Sequence, residues 1–261
     1  MESKLIEQCG DELFSALRTR QTVAPLTARF SGLTIADSYR ISLRLLERRQ
    51  AQGERVIGKK IGVTSKPVQR ALDVHQPDFG YLTHTMRFED GSEVPISQQL
   101  IQPRAEGEIA FVLKRRLCGP GVTPSEVLAA TDHVLPCFEI VDSRIADWRI
   151  RIEDTVADNA SSGLFVLGRT PVKPDRVDFY SCGIVVEKNG DVLSTGAGAA
   201  ALGSPLNCVA WLANTLGEYG VALELGEVVL SGSLVPLEPV VAGDAMRATI
   251  GTIGTVSVTF T

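Results

Sequence analysis

The chain has 261 residues, 44% hydrophobic and 22% charged, with a formal net charge of −5. That length supports one large core, or one domain with a smaller appendage, and mild acidity with only short basic clusters (Arg48-Arg49, Lys114-Arg115-Arg116) gives no electrostatic footprint for nucleic acid. Cys9, Cys118, Cys137, Cys182 and Cys208 are odd in number, widely spaced and without a CxxC pair, which argues against a disulfide framework or zinc knuckle and for reduced thiols in a cytoplasmic protein.

The opening stretch MESKLIEQCGDELFSALRTR interrupts its apolar pattern with acidic residues, so neither a signal peptide nor a membrane anchor is expected. No apolar run reaches bilayer-spanning length. Leu5, Leu13 and Leu17 recur at helical spacing, and residues 34–53 do so again, with Thr34 as N-cap and Gly53 as stop. From Val56 the texture changes to short β-branched runs broken by Gly, Pro and Asp. Strands are predicted over 56–63, 108–114, 133–142, 163–168, 182–195, 227–232, 245–250 and 255–260, the 182–195 run folding as a hairpin at Asn189-Gly190. Helices return at 123–133 and 204–220. The expected organisation is a helical portion over 1–60 and a β-rich catalytic domain over 61–261.

Gly196-Ala197-Gly198-Ala199-Ala200-Ala201 matches the GxGxxA form of a dinucleotide fingerprint. A true fingerprint follows a strand inside a βαβ unit, whereas the element before this one reads as an antiparallel hairpin. Glycines that let backbones pack closely are the better account.

Glu106 and Glu108 stand two apart at the start of a strand, so both point to one side and repel unless something positive lies between them. Glu139, in a second apolar strand, is a candidate third ligand. Three carboxylates from two strands would make a hard oxygen site suited to Mg²⁺ or Mn²⁺. The other reading is surface carboxylates paired with Arg104 or Arg144. His75, His84 and His133 form no metal-spaced pair. Lys59 and Lys60 are adjacent in a predicted strand and face opposite ways, so one points inward, which is costly unless the ammonium is paired or used. Asp78 sits in a predicted Pro-Asp-Phe-Gly turn, either as a chemical group or capping its own backbone. Asp142 and Asp158 are similar: the segment 154–163 reads as a polar, small-residue loop that either lines a pocket or turns the chain.

The blocks GKKIGVTSK, QPDFGYL, IQPRAEGEIAFVL, PCFEIVDSRIADW, DTVADNASSG, STGAGAAALGSPLNCVAWLANTLG and LSGSLVPLEP occur in order across nearly the whole chain. Together they resemble the 2-hydroxypenta-2,4-dienoate (2-oxopent-4-enoate) hydratases of aromatic meta-cleavage catabolism, in the fumarylacetoacetate hydrolase superfamily. The resemblance implies an α+β fold, a mixed β-sandwich or roll with N-terminal helices beside it. It places a divalent ion, Mg²⁺ or Mn²⁺, on Glu106, Glu108 and Glu139, the active-site lysine on Lys60 and the catalytic aspartate on Asp78, while Ser161 and the backbone around Gly198 are expected to line the substrate pocket. It also implies a small-molecule 2-oxo or 2-hydroxy enoic acid as substrate and assembly into homo-oligomers. The sister family of 4-oxalocrotonate decarboxylases supplies the alternatives: decarboxylation of 2-oxohex-3-enedioate, or a non-catalytic partner complexed with that decarboxylase. QPDFGYL and the 143–161 segment look like the hydratase version.

Overall fold

The computed structural model describes residues 1–261. Helix α1 (Ser3–Thr19), the single turn α2 (Leu26–Arg29) and α3 (Ile35–Ala51) open the chain. Thr34 caps α3 by accepting the Asp37 N–H on its hydroxyl, and Gly53 adopts φ 91°, a left-handed conformation that costs glycine little. Ile6, Leu13, Ile41 and Leu45 meet between α1 and α3, and with Leu26, Ile145 and Ala157 they form a small core of their own. Burying each large side chain there contributes about 1.5–3 kcal/mol.

The strands are β1 (Val56–Gly62), β2 (Asp78–Thr83), β3 (Arg87–Glu89), β4 (Ser92–Val94), β5 (Arg104–Leu113), β6 (Thr131–Val141), β7 (Ser162–Leu167), β8 (Gly183–Lys188), β9 (Asp191–Ala197), β10 (Val228–Leu230), β11 (Glu238–Pro239), β12 (Ala245–Ile250) and β13 (Gly254–Phe260). One sheet runs β2-β1-β10-β5-β6-β7-β3, with β11 added against β5, and the second runs β4-β13-β12-β8-β9. Most neighbours are antiparallel, while β1–β10, β3–β7 and β4–β13 are parallel. Neither sheet closes into a barrel. Phe138 and Ile140 of β6 share the main core with Ile184 and Val186 of β8 and with Ala248, Val256 and Val258 of the second sheet. The molecule is therefore the α+β sandwich or roll expected, with the helical portion beside it. All five cysteines are free thiols, four of them buried.

The remaining helices are α4 (Lys66–Ala71), α5 (Ile96–Gln99), α6 (Pro124–Ala130), α7 (Ile152–Ala157) and α8 (Pro205–Gly217). Asn189 (φ 56°) and Gly190 (φ 92°) both take positive φ between β8 and β9, the geometry that a two-residue hairpin turn requires. β9 pairs only with β8, antiparallel. A Cβ on Gly198 would lie 2.0 Å from the Phe179 carbonyl oxygen, so close backbone packing accounts for this glycine-rich run.

Three expectations are corrected. The helix predicted to reach 133 stops at Ala130, because Thr131–His133 are taken into β6. Asp78 does not sit in a turn: it opens β2, opposite Gly62, and is buried. The loop predicted over 154–163 is instead helix α7 followed by a tight turn at Asn159–Ser161, buried throughout. Its small polar residues are satisfied internally, Asp154 accepting the Thr27 N–H (3.1 Å) and hydroxyl (2.6 Å), and Thr155 donating to the Ile152 carbonyl (2.9 Å). Tertiary partners have overridden a loop-like composition.

Candidate active site

The β5–β6 register sets Glu106 directly opposite Glu139, and Glu108 lies two residues further along the same face. The strand period thus gathers three carboxylates whose ligand atoms all lie within 4.8 Å of one another. Glu108 and Glu139 are buried; Glu106 retains partial exposure. Like charges opposed across a ladder destabilise it, so the arrangement requires compensation.

Part of that compensation comes from Lys60 on β1, whose Nζ lies 2.9 Å from Glu139 Oε1 without the alignment of a full hydrogen bond. Burial works against the ammonium, but Glu139, Asp78 and Glu106 outweigh it and hold its pKa above the ordinary value. Adjacent Lys59 goes the other way: it is bound to both Glu227 oxygens (2.7 Å) and lies 5.9 Å from the centre of the Tyr81 ring. Asp78 approaches the cluster across Gly62, where a Cβ would sit 2.3 Å from Asp78 Oδ1 and 3.5 Å from Lys60 Nζ. Only glycine leaves room there.

One ammonium does not balance this much negative charge. Both oxygens of Glu139, Oε1 of Glu108 and Oδ1 of Asp78 are buried without a hydrogen-bond partner, while the other Glu108 oxygen accepts the Gly232 N–H (2.8 Å). Burial and then Glu139 push the Glu106 carboxyl up to about 7; burial, Glu139 and Glu106 push Glu108 well above the carboxylate range. Burial also raises Glu139 and Asp78, against the pull of Lys60. Convergent, underbonded, oxygen-only ligands are what a hard divalent cation needs. Glu106, Glu108 and Glu139 fit one.

A cavity of about 600 Å³ opens beside them. Lys60, Asp78, Glu106, Thr64, Thr155, Ser161 and Ser233 give it a polar end, and Val68, Leu72, Trp148, Ile150 and Leu237 contribute apolar wall. Ser161 lines it directly. Gly198 itself does not, although its neighbours Ala199 and Ala200 do. Asp142 and Asp158 are also absent from the lining: Asp142 accepts the Ile101 and Gln102 N–H groups, and Asp158 pairs with Arg144 (Nε to Oδ1, 2.5 Å). Arg144 is thus no partner of the glutamates, and Arg104 stacks on Trp148 at 4.7 Å. Thr64, Thr155, Ser233 and Trp148 escape a sequence reading because each is a lone residue with no spacing signal.

Fumarylacetoacetate (FAA) hydrolase C-terminal is the family that matches, over residues 51–261. A 2-hydroxypent-2,4-dienoate hydratase of Pseudomonas putida is 67% identical over 222 residues, 85% of this chain and 100% of that protein. A 2-hydroxyhexa-2,4-dienoate hydratase of Comamonas testosteroni is 56% identical over 261 residues, covering 100% and 99%. Among solved structures, the 4-oxalocrotonate decarboxylase of Pseudomonas putida G7 complexed with magnesium and adipate superposes with a TM-score of 0.97 at 34% identity, covering 100% and 99% of the two chains.

Proposed function

From its membership of the fumarylacetoacetate hydrolase superfamily, within the 2-hydroxypenta-2,4-dienoate hydratases, we propose that this chain hydrates 2-hydroxypenta-2,4-dienoate to 4-hydroxy-2-oxopentanoate in aromatic meta-cleavage catabolism. The observation that carries this is the convergence of Glu106, Glu108 and Glu139 with Lys60 and Asp78 at the polar end of a mainly apolar cavity, in a chain so similar to a hydratase.

The C4=C5 bond of the dienol is not activated toward water. In the first step the 2-hydroxyl loses its proton and C5 gains one, giving 2-oxopent-3-enoate, whose C4 is electrophilic through conjugation with the carbonyl. Water then forms the C4–O bond; the C3=C4 pair moves toward the carbonyl, and C3 is finally protonated. Asp78 is the group for these transfers: a carboxylate whose proton affinity burial has raised is a better base near neutrality. Lys60 offers its ammonium to the negative charge that builds on the substrate's C2 oxygen. Ser161 orients the substrate from the polar end of the cavity. Mg²⁺ or Mn²⁺ held by the three glutamates supplies, when bound, electrostatic stabilisation of that same charge.

A decarboxylase acting on an enedioate must also hold a distal carboxylate. The basic lining residues here are Lys60 and Lys66, and Lys66 is exposed and bonded to Gln69 (3.0 Å). The apolar wall supports the hydratase reading instead. Exposed Val185, Val192 and Leu193 on the β8–β9 hairpin, with Val241, support assembly of copies of the chain; association with the related decarboxylase belongs to the same proposal. No helix is long and apolar enough to cross a membrane, and a cytoplasmic location completes the reading. The test offers the purified protein, loaded with Mg²⁺ or Mn²⁺, both 2-hydroxypenta-2,4-dienoate and 2-oxohex-3-enedioate and identifies products by mass. Hydroxy-oxopentanoate from the first supports hydration; carbon dioxide from the second alone overturns it.

A further inference from the structure

Hydration sets a problem that decarboxylation does not. Once the dienoate fills the main cavity, with its oxygens toward Lys60 and its tail along the apolar wall, water must still reach C4. A second cavity of about 320 Å³ adjoins the first at Asp78, between the start of α3 (Ile35, Tyr39), residues 74–77, and α7 (Ile152, Val156). His75 and Gln76 at its rim are exposed; Pro77, Asp78, Ile152 and Val156 at its floor are buried. Asp78 is the one residue that lines both cavities.

We infer that the second cavity is the water port of the enzyme, delivering the nucleophile past Asp78, the residue it shares with the substrate cavity. The inference rests on the hydratase reading above. Its volume far exceeds the ~10–15 Å³ that one water centre requires. Asp78, where the two cavities meet, turns an Oδ1 that lacks any hydrogen bond within the chain toward Gly62 and Lys60 on the substrate side, the polar partner for a water passing from one cavity to the other. In the step it serves, water's oxygen bonds to C4, the C3=C4 pair shifts toward C2, and the released proton passes to the Asp78 carboxylate before C3 is protonated. Ketonisation, which consumes no water, does not use the port.

That asymmetry supplies the test. Val74 and Ile35 are half-buried residues of the second cavity that do not line the first. Val74→Phe and Ile35→Trp, made separately in the full-length Mg²⁺-loaded protein, fill the port from two sides. The readout, by NMR, is the ratio of 2-oxopent-3-enoate released to 4-hydroxy-2-oxopentanoate formed from 2-hydroxypenta-2,4-dienoate. The expected result is a ratio raised by roughly 10- to 100-fold, the scale of one misdelivered reactant, with Val74→Ala keeping the wild-type ratio. If both filled variants fold and the ratio stays at its wild-type value, including when both steps slow together, the port is overturned. A wild-type protein that ketonises without ever hydrating would overturn the proposed function instead.

Discussion

Two groups of buried charge lie within a few residues of one another at the end of β6, and they are built on opposite principles. Around Arg144, every side-chain polar atom is answered: the guanidinium donates to the Asp158 carboxylate and carbonyl, to the Asp142 carbonyl (2.5 Å) and to the Ser162 carbonyl (2.8 Å), while the Arg144 N–H donates to Asp158 Oδ2 (2.9 Å). Around Glu139 almost nothing is answered. Of six buried side-chain atoms in the molecule without a hydrogen-bond partner, four belong to Glu108, Glu139 and Asp78. Burial of charge therefore does not distinguish the two; unpaired burial does, and it marks the candidate site, where on the proposed reading an ion and a substrate complete the bonding. The satisfied hub has its own task. It pins the turn in which Asn159, Ala160 and Ser161 all take positive φ (54°, 50° and 52°), a strained run that persists only because its surroundings over-determine it, and so fixes Ser161 on the cavity wall.

The largest separation between the two regions is expected in turnover. Asp78→Asn keeps the shape of the site and leaves the proposed ligands intact, yet should lower kcat by roughly 10²- to 10⁴-fold, as loss of a proton-transfer group does, with divalent-metal affinity unchanged by calorimetry. Lys60→Ala should lower kcat far more than Lys59→Ala, whose ammonium serves Glu227 on the other face. Equal losses in proteins of matched stability would contradict that division of labour.

Next comes stability, where the hub should dominate. Arg144→Met leaves Asp158 buried and uncompensated, at a cost of about 3–5 kcal/mol, visible as a Tm lowered by roughly 10 °C. In the metal-free protein Glu108→Gln should act in the opposite sense, raising stability by about 1–2 kcal/mol, because function rather than folding demands a third carboxylate at this spot. Thermal melts of the two variants check the pair, and a destabilised Glu108→Gln protein would remove the distinction between them.

How much of this was legible in the sequence follows from the range of each interaction. Glu106 and Glu108 share a face because a strand repeats every second residue, and the opposite facing of Lys59 and Lys60 is the same rule; Thr34 and Asn189-Gly190 are equally local signals. The meeting of Glu139 with Glu106 depends on the β5–β6 register, and the approach of Lys60 depends on β10 lying between β1 and β5. No spacing encodes sheet order, and the resemblance between whole sequence blocks carried those residues instead. At the Arg144 hub the alternative that pairs Arg144 with the glutamates fails, and Asp158, expected in a polar loop that lines a pocket or turns the chain, lies instead between α7 and a buried turn. Both follow from one cause, since polar residues signal solvent unless their partners, here on other segments, are known.

The smallest effect expected is in pH dependence, and it sharpens the comparison most. In the metal-free protein Glu106 is pushed up to about 7 from its ordinary 4.5, by burial first and then by Glu139. Between those two values the folded chain holds a proton that the unfolded chain has released, so stability is greatest below about 4.5 and is lost as pH rises through about 7. Water reaches the partly exposed Glu106 and screens part of the effect, leaving a loss of about 1 kcal/mol. A bound divalent cation reverses the sign, because it requires the deprotonated carboxylate: metal affinity should weaken as pH falls below about 7, and binding should release protons. Melts from pH 5 to 8 with and without Mg²⁺, read against Glu106→Gln, report this carboxyl together with its push on neighbouring Glu108. The metal-free wild type should lose Tm over that range relative to the Gln variant, while saturating Mg²⁺ should bring its gain at the alkaline end. Parallel curves for the two proteins would show that Glu106 is as well satisfied as Asp158, and the contrast between hub and site would then rest on Glu108 and Glu139 alone.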